Sequence, residues 1–199
     1  MIFSKICFHK FVMSNCCKLQ LICDIIENIK NFRMGNNKLK NVRILGVDPG
    51  YAIVGFGIVE YDGINFRPIE YGAVLTEAHT PFNERLFAIH TDIEFIFEKY
   101  HPHCMAIEKL FFTTNQKTAI DVAQARGVTV LSAAKRCVPV FEYTPLQVKS
   151  AVVGYGKAEK KQVMEMTRQL LNLAQIPKPD DAADALAIAI CHGHSTRWG

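Results

Sequence analysis

The chain has 199 residues, 49% of them hydrophobic, and a formal net charge of +4. That length suffices for one domain with a full core, and no apolar run reaches the roughly 18 residues of a membrane span, so a soluble protein is expected. The charge is no argument for a nucleic-acid partner, because residues 1–41 hold seven basic side chains against two acids while residues 42–199 hold 16 against 17.

Residues 1–33 mix Phe, Ile, Cys, Lys and Asn without a helical or strand period. Lys5 and Lys10 precede apolar residues in the manner of a signal sequence, yet neither a compact apolar core nor a small-residue cleavage site follows. This stretch reads as an extension translated from a misplaced start, with Met34 opening the polar lead into the first strand; a targeting peptide is the lesser reading. Four of the seven cysteines (Cys7, Cys16, Cys17, Cys23) lie within it. Cys104, Cys137 and Cys191 stand alone among apolar residues and read as reduced core cysteines. No CxxC pair marks a zinc module, and a reducing, cytoplasmic compartment follows.

Val42–Asp48 reads as a buried strand ended by the Asp48-Pro49-Gly50 turn. Tyr51–Tyr61 is a second strand whose Gly55 and Gly57 permit close backbone approach or a bulge. Asp62-Gly63 turns the chain into a third strand, Phe66–Leu75, completing an antiparallel meander. Thr80-Pro81 starts a helix with Leu86, Ile89, Ile93, Ile96 and Phe97 on one face. Cys104–Glu108 is a short fourth strand, followed by the loop 109–117 and a helix from Thr118 to Arg136. After a fifth strand, Val138–Tyr143, Thr144-Pro145 caps a helix that runs to Val153 and is broken by Gly154-Tyr155-Gly156. An amphipathic helix, Ala158–Leu173, and the closing helix after Pro179 complete the chain. The order β-β-β-α-β-α-β-α-α-α suits a single α/β domain, a five-stranded mixed sheet flanked by helices.

Charge within this frame is uneven: residues 42–98 carry three basic and nine acidic groups, and residues 99–168 carry 11 and five. Such asymmetry permits a basic face for phosphates and is equally consistent with solvated surface. The acids are more pointed. Asp48 and Glu108 each end an apolar strand, where a charge must be paired, metal-bound or at the sheet rim. Asp181 and Asp184 share a face of the closing helix, and Asp184 is too far in to serve as a cap. Plainer readings exist: Asp48 as a turn residue, Glu108 paired with Lys109, Asp180 as the cap and Asp181 as a dipole partner. All of them would have to hold at one end of one sheet. Four carboxylates converging with no evident arginine partner call for hard cations, Mg²⁺ or Mn²⁺, and a pair of ions could activate water and stabilise the leaving oxygen in phosphodiester hydrolysis.

The blocks Ile44–Gly50, Ala106-Ile107-Glu108, Gln124-Ala125-Arg126-Gly127-Val128, Val140–Tyr143, Gln147-Val148-Lys149, Val152–Lys160 and Asp181–Ala187 closely resemble the RuvC-type Holliday-junction resolvases over residues 42–194. The resemblance implies an RNase H-like fold and a homodimer that cuts four-way DNA junctions symmetrically in recombination and repair. It implies Mg²⁺ as cofactor, two ions per site with Mn²⁺ as a substitute, and a partner branch-migration complex. Asp48, Glu108, Asp181 and Asp184 match the family's catalytic, metal-holding acids; Phe111 matches an aromatic near the junction centre; Lys149 and Lys160 match lysines that hold phosphate. Residues 1–41 have no counterpart in the family and are expected to be disordered or absent from the native product, and residues 195–199 form a short tail lacking the longer basic end of some members. His101-Pro102-His103 and His192-Gly193-His194 look like ligand pairs but are read as incidental, with a supporting role for the second pair left open. A non-catalytic junction-binding module would show a missing acid, and none is missing; an ATP-binding sugar-kinase or actin-like protein would need a second phosphate hairpin, which is not visible.

Overall fold

The computed structural model describes residues 41–110 and 116–196, apart from the side chains of residues 116 and 117. Strand β1 (Val42–Asp48) lies at the centre of a five-stranded sheet, antiparallel to β2 (Ile53–Tyr61) on one side and parallel to β4 (Cys104–Glu108) on the other. β3 (Phe66–Leu75) extends the sheet beyond β2, and β5 (Val140–Tyr143) pairs in parallel with β4, giving the order β3-β2-β1-β4-β5. β1 is apolar on both faces because both are covered, as is usual for strands that pair in parallel. The β2–β3 turn is held by Asp62 Oδ1, which accepts from the backbone N–H groups of Ile64 and Asn65 at 2.8 and 2.7 Å, and Gly63 takes the positive φ of 101° that this turn requires.

Five helices complete the fold of the described residues: α1 (Phe82–Tyr100), α2 (Gln116–Lys135), α3 (Pro145–Val153), α4 (Lys160–Leu170) and α5 (Asp180–Ser195). One sheet face meets α1 and α2 in a core of Leu45, Val47, Ile89, Ile93, Phe97, Met105 and Ile107. α5 is buried against the β1–β2 side of the sheet. It sits unusually low because Gly46 and Gly57, paired across β1 and β2, have no side chains to hold it off. A Cβ on Gly46 would lie 2.0 Å from the Ala185 carbonyl oxygen, and one on Gly57 would lie 2.7 Å from Leu186 Cδ2.

The order of elements agrees with the sequence reading, and the boundaries differ slightly. β2 begins at Ile53 because Tyr51 and Ala52 belong to the turn, and α4 covers only Lys160–Leu170. The bulge suggested by Gly55 and Gly57 occurs instead between Ile58 and Val59, while both glycines serve close approach. Thr144 caps α3 as expected, in a reciprocal box with Gln147. Cys104 and Cys191 are buried, whereas Cys137 is only half-buried, at a turn with φ 55°. Among the described residues no helix is long and apolar enough to cross a membrane.

Candidate active site

Asp48 closes β1 and Glu108 closes β4, and since these strands run side by side in the same direction, both carboxylates emerge at one sheet edge. The register sets Asp48 opposite Gly55 on β2. A Cβ on Gly55 would lie 2.0 Å from the Asp181 carbonyl oxygen, so the first turn of α5 rests directly on the neighbour of Asp48. Asp184 follows one turn along the same helix face. Residues 133 apart in sequence are thus drawn together by glycines that carry no chemistry of their own.

The electrostatics reflect this crowding. The Asp48 carboxyl is pushed up from 3.8 to about 7, first by burial and then by the negative charges of Glu108, Asp184 and Asp181, with Lys160 acting in the opposite sense. Burial, followed by the charge of Asp184, raises Glu108. Asp184 is also raised: its burial outweighs the pull of Lys160. Three carboxyl groups therefore hold protons more tightly than usual, chiefly because burial disfavours their charged forms and secondarily because neighbouring acids repel.

One counter-charge is present that the sequence reading did not pair. Lys160 Nζ, from the first turn of α4, lies 3.0 Å from Asp184 Oδ2 and 3.5 Å from Asp180 Oδ2. Asp180 is not the helix cap: Pro179 holds that position and no side chain caps α5, so Asp180 is an exposed partner of Lys160. A cleft of about 240 Å³ opens between α3, α4 and α5, with Lys149, Lys160, Glu108 and Asp184 around an apolar floor that includes Val148 and Ile188. Both lysines singled out in the sequence thus face the same space as two of the acids. Phe111 lies outside the described residues.

Two arginines brace the acids without having been recognised in advance. Arg126 on α2 donates from Nε to the Glu108 carbonyl oxygen at 3.4 Å and pairs with the Glu142 carboxylate on β5, tying together the ends of adjacent strands. Arg85 on α1 donates from Nε to Thr76 Oγ1 at 2.8 Å, and Thr76 Oγ1 donates to the Tyr51 carbonyl oxygen at 2.7 Å. The same guanidinium stacks 4.4 Å above the Tyr51 ring, so the turn that follows Asp48 is clamped from two directions. For Arg126 a signal existed in the Gln-Ala-Arg-Gly block; for Arg85 there was none.

The histidine pairs separate. His192 is buried, its Nδ1 sharing a 2.7 Å hydrogen bond with the Tyr143 hydroxyl and its ring packed 4.4 Å from Phe141. His194 Nδ1 meets the Ala151 carbonyl oxygen at 3.0 Å. His103 Nδ1 accepts from the Arg43 backbone N–H, and His101 ends α1 in the left-handed region.

Residues 44–192 match the family model described as crossover junction endodeoxyribonuclease RuvC. The chain belongs to the RuvC family. It is 53% identical over 156 residues to the crossover junction endodeoxyribonuclease RuvC of Ruminiclostridium cellulolyticum, covering 78% of this chain and 94% of that protein. The Halothermothrix orenii RuvC is 56% identical over 160 residues, covering 78% and 97%. The solved structure of Thermus thermophilus RuvC in complex with Holliday junction substrate superposes with a TM-score of 0.72 at 33% identity, covering 79% of this chain and 96% of that one. The RNase H-like, five-stranded mixed sheet expected from the resemblance is therefore borne out.

Among the described residues, no three acidic, histidine or cysteine side chains already close on a single point. The donor set of this RuvC-family site still fits a hard divalent cation: four carboxylates share one edge, and a cation there would offset both the burial and the mutual repulsion that raise Asp48, Glu108 and Asp184.

Proposed function

We propose that residues 42–194 form a structure-selective endodeoxyribonuclease domain that resolves Holliday junctions by symmetric, metal-dependent phosphodiester hydrolysis in two strands. The observation that carries this reading is the grouping of Asp48, Glu108, Asp181 and Asp184 about one sheet edge in a chain of the RuvC family. These four residues would hold Mg²⁺, as a pair of ions for which Mn²⁺ could substitute. Bound there, magnesium would supply activation of the attacking water and stabilisation of the leaving oxygen.

The remaining roles belong to the chain's own side chains. Lys149 and Lys160, on the wall of the cleft, steady the scissile phosphate, and Lys160 is drawn from Asp184 towards it as the strand enters. Phe111 stacks near the junction centre. Two such sites in a homodimer cut two strands symmetrically, with the branch-migration complex of the same recombination system as partner. The reduced state of Cys104 and Cys191 suits action in the cytoplasm.

Incubation with a synthetic four-way junction and with linear duplex, each with and without Mg²⁺, tests this reading. Junction-selective cutting that requires Mg²⁺ is expected, and equal cutting of both substrates would refute it. Asp48→Asn and Glu108→Gln should abolish cutting while preserving metal-free junction binding; loss of binding in both would make these residues structural.

A further inference from the structure

Between α3 and α4 the loop Gly154-Tyr155-Gly156 presents an aromatic ring that the site described above does not use. Gly154 ends α3 with φ 93°, its N–H donating to the Ser150 carbonyl oxygen at 2.9 Å. Gly156 folds back on α3 so closely that a Cβ would lie 2.8 Å from Leu146 Cγ and 3.2 Å from Ser150 Oγ. On the other side, the Tyr155 hydroxyl donates to Gln162 Oε1 at 2.9 Å, the same oxygen that accepts the Glu159 N–H at 2.8 Å. The ring is therefore strapped between the two helices that supply Lys149 and Lys160 to the cleft.

Strapping has not buried it. Tyr155 remains 47% exposed and Leu146, packed on Gly156, is 63% exposed. Lys157, Lys160 and Lys161 stand in solvent on the adjoining loop and first turn of α4, and Glu159 is the only acid between residues 144 and 161. An apolar protein partner would have to strip water from these cations. A nucleic-acid strand meets them with phosphates while its bases offer flat faces to an aromatic ring.

We propose that Tyr155 stacks on an unstacked nucleotide of the junction strand flanking the scissile phosphate. This assignment rests on the nuclease reading and adds to it a contact that orients the strand. Because the ring is already immobilised by Gln162, stacking costs little further side-chain entropy. The lysines hold any backbone; the ring requires a base that has left its duplex stack, a condition confined to the strand-exchange point of a junction and not met within intact duplex.

The full chain and its Tyr155 variants should be compared in metal-free binding to a synthetic four-way junction across a salt series. Tyr155→Leu is expected to weaken binding about tenfold, within the range for loss of one base–aromatic stack, with the slope of affinity against salt unchanged. Tyr155→Phe, which keeps the ring and loses the Gln162 bond, should bind within about twofold of the parent, and Lys157→Ala should lower the salt slope by about one unit. A 2-aminopurine beside the cut position should be quenched by the parent and by Tyr155→Phe but not by Tyr155→Leu. Parental binding by Tyr155→Leu, or an equal defect in Tyr155→Phe, would overturn the stacking assignment while leaving the nuclease reading intact. Failure of the parent itself to bind or cut the junction would overturn both.

Discussion

Lys160 Nζ stands 3.0 Å from Asp184 Oδ2, an ammonium paired directly with an acid of the candidate site. Its charge opposes the upward shift of Asp48, Glu108 and Asp184 alike. Lys160 is thus placed where a divalent cation would also act, and it is free at one end to follow a phosphate. Its own ammonium is raised chiefly by the Asp184 hydrogen bond, so it stays charged throughout the physiological range.

Replacement by glutamine separates these roles. At pH 8, Lys160→Gln should reach half-maximal cutting at a lower Mg²⁺ concentration, because a competitor of the cation has gone. Its rate at saturating Mg²⁺ should fall by roughly 10²-fold, as for loss of one charge-stabilising donor. Asp180→Ala serves as the contrast: exposed and merely paired with Lys160, it should cost no more than about 1 kcal/mol of stability and leave cutting close to parental. A Lys160→Gln enzyme with unchanged rate and Mg²⁺ dependence would remove the lysine from the mechanism.

Asp48 costs the metal-free protein stability as pH rises from about 4 to about 7. Its folded value of about 7 exceeds the unfolded 3.8, so the folded state binds the proton more tightly. The associated stability is present below pH 4 and is lost as pH rises towards 7. In EDTA, the urea midpoint of Asp48→Asn should therefore gain on that of the parent as pH rises through this window, and added Mg²⁺ should narrow the difference. Parallel profiles for parent and variant would show that the burial of Asp48 is energetically silent.

His192 works in the opposite direction. Burial holds its imidazole down at about 4, against an unfolded value of 6.5. The unfolded chain binds the proton more readily, so stability falls as pH drops from 6.5 to 4. His192→Gln should remove this acid-side loss, although its midpoint at pH 7 drops because the Tyr143 hydrogen bond is disturbed. Over pH 4–6.5 the two residues offset each other, and a nearly level parental profile should resolve into opposite slopes in the two single variants. A matching acid-side slope in His192→Gln would exclude the histidine as its source.

Glycine substitutions distinguish close approach from simple flexibility. Gly55→Ala would drive a methyl group into the Asp181 backbone, lifting the end of α5 from the sheet edge. A cost of about 1–3 kcal/mol is expected, together with loss of cutting that exceeds the stability effect. Gly127 lies on an exposed face of α2 with open space around it, and Gly127→Ala should stabilise the helix by about 0.5–1 kcal/mol. Thermal unfolding and junction cleavage of both variants provide the check; an active, fully stable Gly55→Ala protein would contradict the packing argument.

Much of this molecule was legible along the chain, because the relevant signals are local. The apolar run Val42–Val47, the turn after Asp48, the 3–4 residue period of α1 and the Thr144 cap each depend on neighbours a few positions away. The sequence by itself also marked the four acids as misplaced charges at the ends of apolar segments, and the resemblance to a family put them in register. What it could not contain was pairing across distance. That Lys160 reaches Asp184, that Arg126 and Arg85 brace two strand ends, and that Gly55 seats Asp181 beside Asp48 depend on residues far apart in sequence meeting at one sheet edge. Such contacts leave no periodicity to read, since they arise only after the core has placed α1, α2, α4 and α5 around the sheet. Tertiary structure likewise decided the fate of Asp180 and of the histidine pairs, because a carboxylate or imidazole takes its role from whichever partner the packed fold brings within hydrogen-bonding distance.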